Sequence, residues 1–381
     1  MQIHTILTHT RPHVDELLAI WLLRFFGGSI FQGIQNAKIE FITNGMLPKS
    51  ETAESLLEKG TLCIGVGGGM FDEHATANSD RKDMATATSL VSEHLKLETK
   101  SSWSEIKRLI DHIFNNDTKG TVQGTDDLSC EMKKMLRLSQ ETAMRFSQDA
   151  FLVLYENPQM SFSTEGILNF LNNDDFITFY SDSLAYTKSQ WREAIKELKG
   201  AQTIEFIGPR GPLKIIVMHT ENFNAGSVTR SKKYGNANIA VIINDRGNTT
   251  ILPRASDLLD MSELVMLLRL EEEYLDGQVG RTSIDQITNE KVDGPASRWY
   301  YFVSPGNKHF QLILNGSETT PNIEATKINA ERIIHLIQIA LDVDFFATEC
   351  KNPQCVRSEC CWDVLDLRKC SRVRATARSR S

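Results

Sequence analysis

Apolar residues in the first seventy positions fall into short runs closed by polar or glycine-bearing turns. "QIHTILT" alternates over a strand's length, "AKIEFITN" does so again, and "GTLCIGVGGGMFDEH" is an apolar run that ends in glycines. Between the first two lies "ELLAIWLLRFF", apolar on every side and therefore a helix without a solvent face. "MATATSLVSEHLKL" and "SSWSEIKRLIDHIFNN" then carry helical period. Strands alternating with helices predict an α/β fold with a parallel sheet, whose ligands gather beyond the carboxyl ends of the strands.

Residues 118–135, "TKGTVQGTDDLSCEMKK", are polar with interspersed glycines and read as a surface loop, after which helical patterns continue to "QWREAIKELKG". From "TIEFIGPRGPLKIIVMHT" through "ANIAVIINDRGNTTILPR" to "RWYYFVSPGNKHFQLILNG" the pattern is of strands broken by Gly and Pro, and "NAERIIHLIQIAL" closes it as a helix. The expected organisation is an N-terminal α/β domain over 1–190 and a smaller β-rich α+β domain over 195–345. A Cys-rich segment with a basic tail follows over 346–381, and the active site is expected in the cleft between the two domains.

Hydrophobic residues at 41% and charged residues at 24% describe an ordinary globular chain. A net charge of −7 argues against coating nucleic acid by bulk electrostatics, so a polyanion would be held locally. With neither a secretory leader pattern nor an apolar run of membrane-spanning length, a cytoplasmic protein without a membrane partner is expected. Five of the seven cysteines, Cys350, Cys355, Cys360, Cys361 and Cys370, crowd the end of the chain. Their spacing lacks the CxxC knuckle of structural zinc sites, which favours reduced thiols or a small packed lobe over Zn²⁺.

The chemistry concentrates at two turns. "THTRPHVDE" places His9, His13 and Asp15 where the first strand meets the buried helix, and a turn lets such positions converge on one cation. "GGGMFDEH" places Asp72, Glu73 and His74 after the third strand. Each taken alone has a plain structural reading, Asp15 as a helix cap and Asp72 with His74 as a solvated turn. Two acid-plus-imidazole clusters at the ends of two strands of one sheet favour a divalent metal. The glycines do not make a dinucleotide fingerprint, since Met70 breaks GxGxxG, and there is no phosphate-binding GxxxxGK[ST] loop.

HxxxHxDE opening a buried helix, followed by a glycine-bearing strand that ends in "FDEH", resembles the DHH phosphoesterase superfamily, and within it the Myg-type (melanocyte proliferating gene) branch. "RWYYFVSP" and "LILNGSETTP" are similar to the end of that branch. The resemblance implies a phosphodiesterase or exonuclease that hydrolyses RNA or short oligonucleotides with one or two Mn²⁺ (or Mg²⁺) ions, through attack of a metal-bound hydroxide on phosphorus. It implies His9, His13, Asp15, Asp72, His74 and Asp111 as metal ligands, with Asp117 the alternative to Asp111, and His74 or Glu73 steering proton transfer.

Two departures stand out: Glu73 replaces the family's middle histidine, and Gly65 stands where relatives carry an acidic ligand. Glu16, Glu73 or Asp83 are candidates to restore that charge. Arg298, His309, Asn315, Gly316 and Ser317 are the expected substrate contacts, although hairpin turns and buried strand aromatics use the same residue types. The rival expectations are a degenerate relative that binds a nucleotide or protein partner without catalysis, and a hydrolase of a small phosphoanhydride.

Overall fold

The computed structural model describes residues 1–43, 47, 50–73, 86–119, 126–278, 281–283, 286–304, 307–316 and 323–341. His74, Asp83, Ser317 and the five C-terminal cysteines lie outside the described residues. The chain is α/β and falls into two compact units, Met1–Ser189 and Gln190–Ser381.

In the first unit, β1 (Thr5–His9) is followed by α1 (Val14–Phe26), β2 (Lys38–Ile42), α2 (Ala53–Glu58) and β3 (Thr61–Cys63). The strands form a parallel sheet in the order β2-β1-β3, so the carboxyl ends of β1 and β3 lie side by side. Then come α3 (Ala87–His94), α4 (Trp103–Lys119), α5 (Leu128–Leu138), α6 (Gln140–Glu156), α7 (Thr164–Leu171) and α8 (Asp174–Glu197), the last crossing into the second unit.

The all-round apolar character of α1 has a direct cause. Its residues Val14 to Leu23 are all buried, and α3, α4, α5 and α6 pack against it. The core joins Ile6, Leu17, Leu18, Ile20 and Leu22 to Ile106, Leu109, Phe146 and Phe151. On the opposite face of the sheet a smaller group of Ala53, Cys63 and Val66 packs with Leu7 and Leu56.

The loop expected over residues 118–135 is shorter than the sequence suggests. Leu128–Leu138 is helical, because the Asp127 side chain caps Ser129 N at 2.9 Å and the helix buries Leu128, Met132, Met135 and Leu136 on one side.

The second unit contains β4 (Gln202–Gly208), β5 (Gly211–His219), α9 (Ala225–Arg230), β6 (Ile239–Ile243), β7 (Thr249–Pro253), α10 (Ser262–Leu275), β8 (Tyr300–Ser304), β9 (Asn307–Leu314) and α11 (Ala330–Leu341). Its sheet has the order β4-β5-β6-β7-β9-β8 and is antiparallel except for β5 with β6, which are joined through α9. Helices cover both faces. α10 and α11 bury Leu264, Leu268, Ile333 and Ile337 against Ile215, Val241 and Ile313, and α9 packs on the other side with Ile216 and Met218.

This unit is organised by a buried cation. Arg269 is fully buried and donates to the carbonyl oxygens of Trp299, Ile287, Asn289 and Glu290 at 2.6–3.2 Å. One α10 side chain thereby satisfies four carbonyls of the segment that leads into β8. Arg269→Leu is expected to destabilise the protein by about 3–5 kcal/mol, because it strands several buried acceptors. Urea unfolding measures the loss.

Candidate functional site

The turn between β1 and α1 is held tightly. Arg11 has φ 57, in the left-handed region that non-glycine residues rarely occupy, and its backbone N–H donates to Gln140 Oε1 on α6 at 2.6 Å. Pro12 fixes the next residue, and Thr10 N bonds Ile42 O at 2.9 Å. The constraint sets where His9 leaves the sheet and where His13 begins the helix.

His13, not Asp15, is the N-cap residue of α1, and its side chain caps nothing. Asp15 instead points inward at 3% exposure. Its Oδ1 accepts from Thr88 N at 3.2 Å, and its carbonyl accepts from Thr88 Oγ1 at 2.7 Å, tying the starts of α1 and α3 together. Burial pushes the Asp15 carboxyl up from 3.8 to about 7, and the charges of Glu16 and Asp117 add to the rise.

Glu16 is equally buried, at 2%, and its Oε1 lies 3.9 Å from His9 Nε2. It fills the space beside Gly65, which has φ +63: a Cβ there would stand 2.8 Å from both Glu16 Cγ and Oε1. The carboxylate on α1 thus occupies the place that a side chain at the end of β3 would take. His13 Nδ1 lies 3.9 Å from Asp117 Oδ1 on α4.

A line of three acids, Glu16, Asp15 and Asp117, with His9 at one end and His13 at the other, therefore stands at the carboxyl end of the parallel sheet. Carboxylate oxygen and imidazole nitrogen are the donor types that Mn²⁺ accepts, and the clustered negative charge is of the sign a cation relieves. Among the described residues, however, no three His, Cys, Asp or Glu side chains are gathered in an arrangement that would hold a metal ion.

The other expected ligands are placed differently. Asp72 Oδ2 accepts from Gly68 N at 2.7 Å, and its charge, after burial, helps push the Cys63 thiol up to about 11. Glu73 is buried at 5%. Asp111 is not brought to the acidic line: it is exposed on α4 in an ion pair with Lys107, one turn away. Asp117, the alternative, is the α4 carboxylate that faces the line. Helical phase explains the choice, since Asp117 falls on the same side of α4 as the buried Ile106, Leu109 and Ile113, although it is itself exposed at the end of the helix.

In the second unit, the guanidinium of Arg298 is met by three carboxylates, Glu272 at 3.2 Å, Asp276 at 2.6 Å and Glu324 at 2.6 Å. Asn315 is fully buried. Its Nδ2 donates to Arg298 O and Glu324 O, and its Oδ1 accepts from Thr326 N at 2.8 Å. Gly316 supplies a turn with φ +71. Arg298 and Asn315 hold the fold together and are not presented to a substrate, while His309 lies half-buried on β9. Trp299 is buried with its indole N–H on Glu272 at 3.2 Å.

No family model and no curated protein matches the chain. A solved structure of an uncharacterized protein from Helicobacter pylori G27 aligns over 70% of this chain and 89% of that one, at 11% identity and a TM-score of 0.30. Among the described residues, no helix is long and apolar enough to cross a membrane.

The buried acid has a pH signature. The folded state keeps the Asp15 proton above the ordinary carboxyl range, whereas the unfolded chain releases it near 3.8. Stability from this group is therefore lost as pH rises from 3.8 towards 7. Asp15→Asn keeps the acceptor for Thr88 without the charge. In the absence of divalent ions it is expected to be more stable than the wild type at pH 8 by about 1–3 kcal/mol and indistinguishable at pH 4. Denaturant titrations at the two pH values make the comparison.

Proposed function

We propose that the first unit is a divalent-metal-dependent phosphoesterase that cleaves RNA or short oligonucleotides. The observation that carries the reading is the buried Asp15 between Glu16 and Asp117, flanked by His9 and His13 where β1 and β3 end. The resemblance of HxxxHxDE and "FDEH" to DHH phosphoesterases supports the same assignment from the sequence.

In this reading Asp15, Glu16 and His9 would contribute to a cation site that the described residues do not complete by themselves, with Asp117 and His13 adding charge on the α4 side. A bound dication supplies an activated water and neutralises charge on the phosphoryl group. The protein's own part is to keep carboxylates buried and fixed in advance: Thr88 holds Asp15, and the lack of a side chain at Gly65 admits Glu16.

A second reading, binding without turnover, is favoured by one observation. No ligand trio is gathered among the described residues. The two readings separate in one experiment on the full chain.

Metal-free protein is loaded with Mn²⁺, its stoichiometry is measured by mass spectrometry, and cleavage of a fluorescent RNA is followed for the wild type, Asp15→Asn and Asp15→Ala. Phosphoesterase activity is expected in the wild type and is expected to fall at least about 100-fold in both variants. Equal rates in wild type and variants would overturn the hydrolytic reading. A Mn²⁺ stoichiometry near zero together with no turnover would favour the second, a degenerate relative that binds a nucleotide or protein partner.

A further inference from the structure

On α4, away from the acidic line, Ser104, Lys107, Arg108, Asp111, His112 and Asn115 line a pocket of about 490 Å³ that Phe162 completes. Its floor is built from a buried pair. His112 is 7% exposed and Asp127 is fully buried, and His112 Nε2 lies 3.2 Å from Asp127 Oδ2. The imidazole stacks on Phe162 with ring centroids 3.6 Å apart and planes 6° from parallel. Asp127 is held in turn by Ser129 N at 2.9 Å, and Phe162 O accepts from Leu128 N at 2.8 Å.

This arrangement leaves particular atoms unmet. Asp127 engages one ring nitrogen of His112, and Nδ1 has no hydrogen-bond partner among the described residues. The terminal nitrogens of Arg108 donate to Met160 O and Leu154 O at 2.8 and 2.6 Å. Its Nε, in contrast, is buried without a partner. A buried N–H of a cation without an acceptor is costly, and the Arg108 guanidinium, which lies over the Phe162 ring at 4.8 Å, brings its positive charge to the pocket lining. Lys107 adds a second positive charge at the rim, and Asp111, already paired to it, occupies only part of its donor capacity.

We propose that this pocket binds a phosphate group. The requirement is for an anion that accepts from Lys107, is attracted by the Arg108 charge and meets His112 Nδ1. Inorganic phosphate does this at neutral pH, because its oxygens accept and its remaining P–OH donates, and a phosphate monoester does so below its second pKa of about 6. Sulfate has the same shape and, at neutral pH, no proton to donate. The site is independent of the phosphoesterase reading, since its lining shares no residue with the acidic line.

The test uses full-length protein in chelator-treated buffer, with the His112 ring resonances followed by NMR as inorganic phosphate, phenyl phosphate or sulfate is added at constant ionic strength. A saturable shift with phosphate, weaker with sulfate, is expected. Phenyl phosphate binding more tightly than inorganic phosphate would assign the site to a phosphomonoester, and equal binding to free phosphate. Lys107→Gln, which removes the exposed lining charge and leaves the Arg108 bonds to Met160 O and Leu154 O in place, is expected to weaken binding about tenfold. The wild-type titration stands even if that variant does not fold. Absence of a saturable phosphate shift, or an equal shift with sodium chloride, overturns the proposal.

Discussion

Burial of the Asp15 carboxylate at the start of a helix that has no solvent side is the constraint on which the first unit turns. Helix α1 is enclosed from Val14 to Leu23, so a polar side chain in its first turn must find its partners inside the protein. Asp15 finds them in Thr88, and the bond fixes α3 against α1. The arrangement remains unfavourable to ionisation because the carboxyl is buried and, in addition, Glu16 and Asp117 lie close by. A fold selected for stability alone would place an apolar or amide side chain at this position.

The sequence made the strand–turn–helix opening legible because two different periods meet there, alternation in "HTILT" and all-round apolarity in "ELLAIWLLRFF". The β-rich second half was equally readable from its Gly and Pro punctuation. The pairing of acids was not. Asp111 and Asp117 are both exposed on α4, and only their phase relative to Ile106, Leu109 and Ile113 separates the one paired with Lys107 from the one near His13 and Asp15. That signal was present in the helical period of the segment. The fit of Glu16 over Gly65 left no such trace, because it joins residues that are distant in sequence and depends on a backbone turn with φ +63.

Arg298 shows the opposite kind of misreading. An arginine beside Trp299, Tyr300 and Phe302 suggests a phosphate contact next to a stacking ring, yet the acids of α10 lie within reach and spend its charge. Glu271, Glu272 and Glu273 are consecutive and all buried, each directed at a different partner: Arg332 for the first, Arg298 and Trp299 for the second, and the backbone of Thr282 for the third. Three neighbouring carboxylates on a helix can do this because successive side chains project about 100° apart. The three acids form an internal framework, and the Arg298 charge is taken up within it.

The two buried acid systems therefore differ in kind. On α10 each carboxylate is matched by a cation or by hydrogen-bond donors, and the result is structural. On α1 the buried Asp15 carboxyl is held by Thr88, and its pKa is raised by burial first and then by the charges of Glu16 and Asp117. Gly65 belongs to the same arrangement, because a side chain there would displace Glu16, whose Oε1 lies 3.9 Å from His9 Nε2.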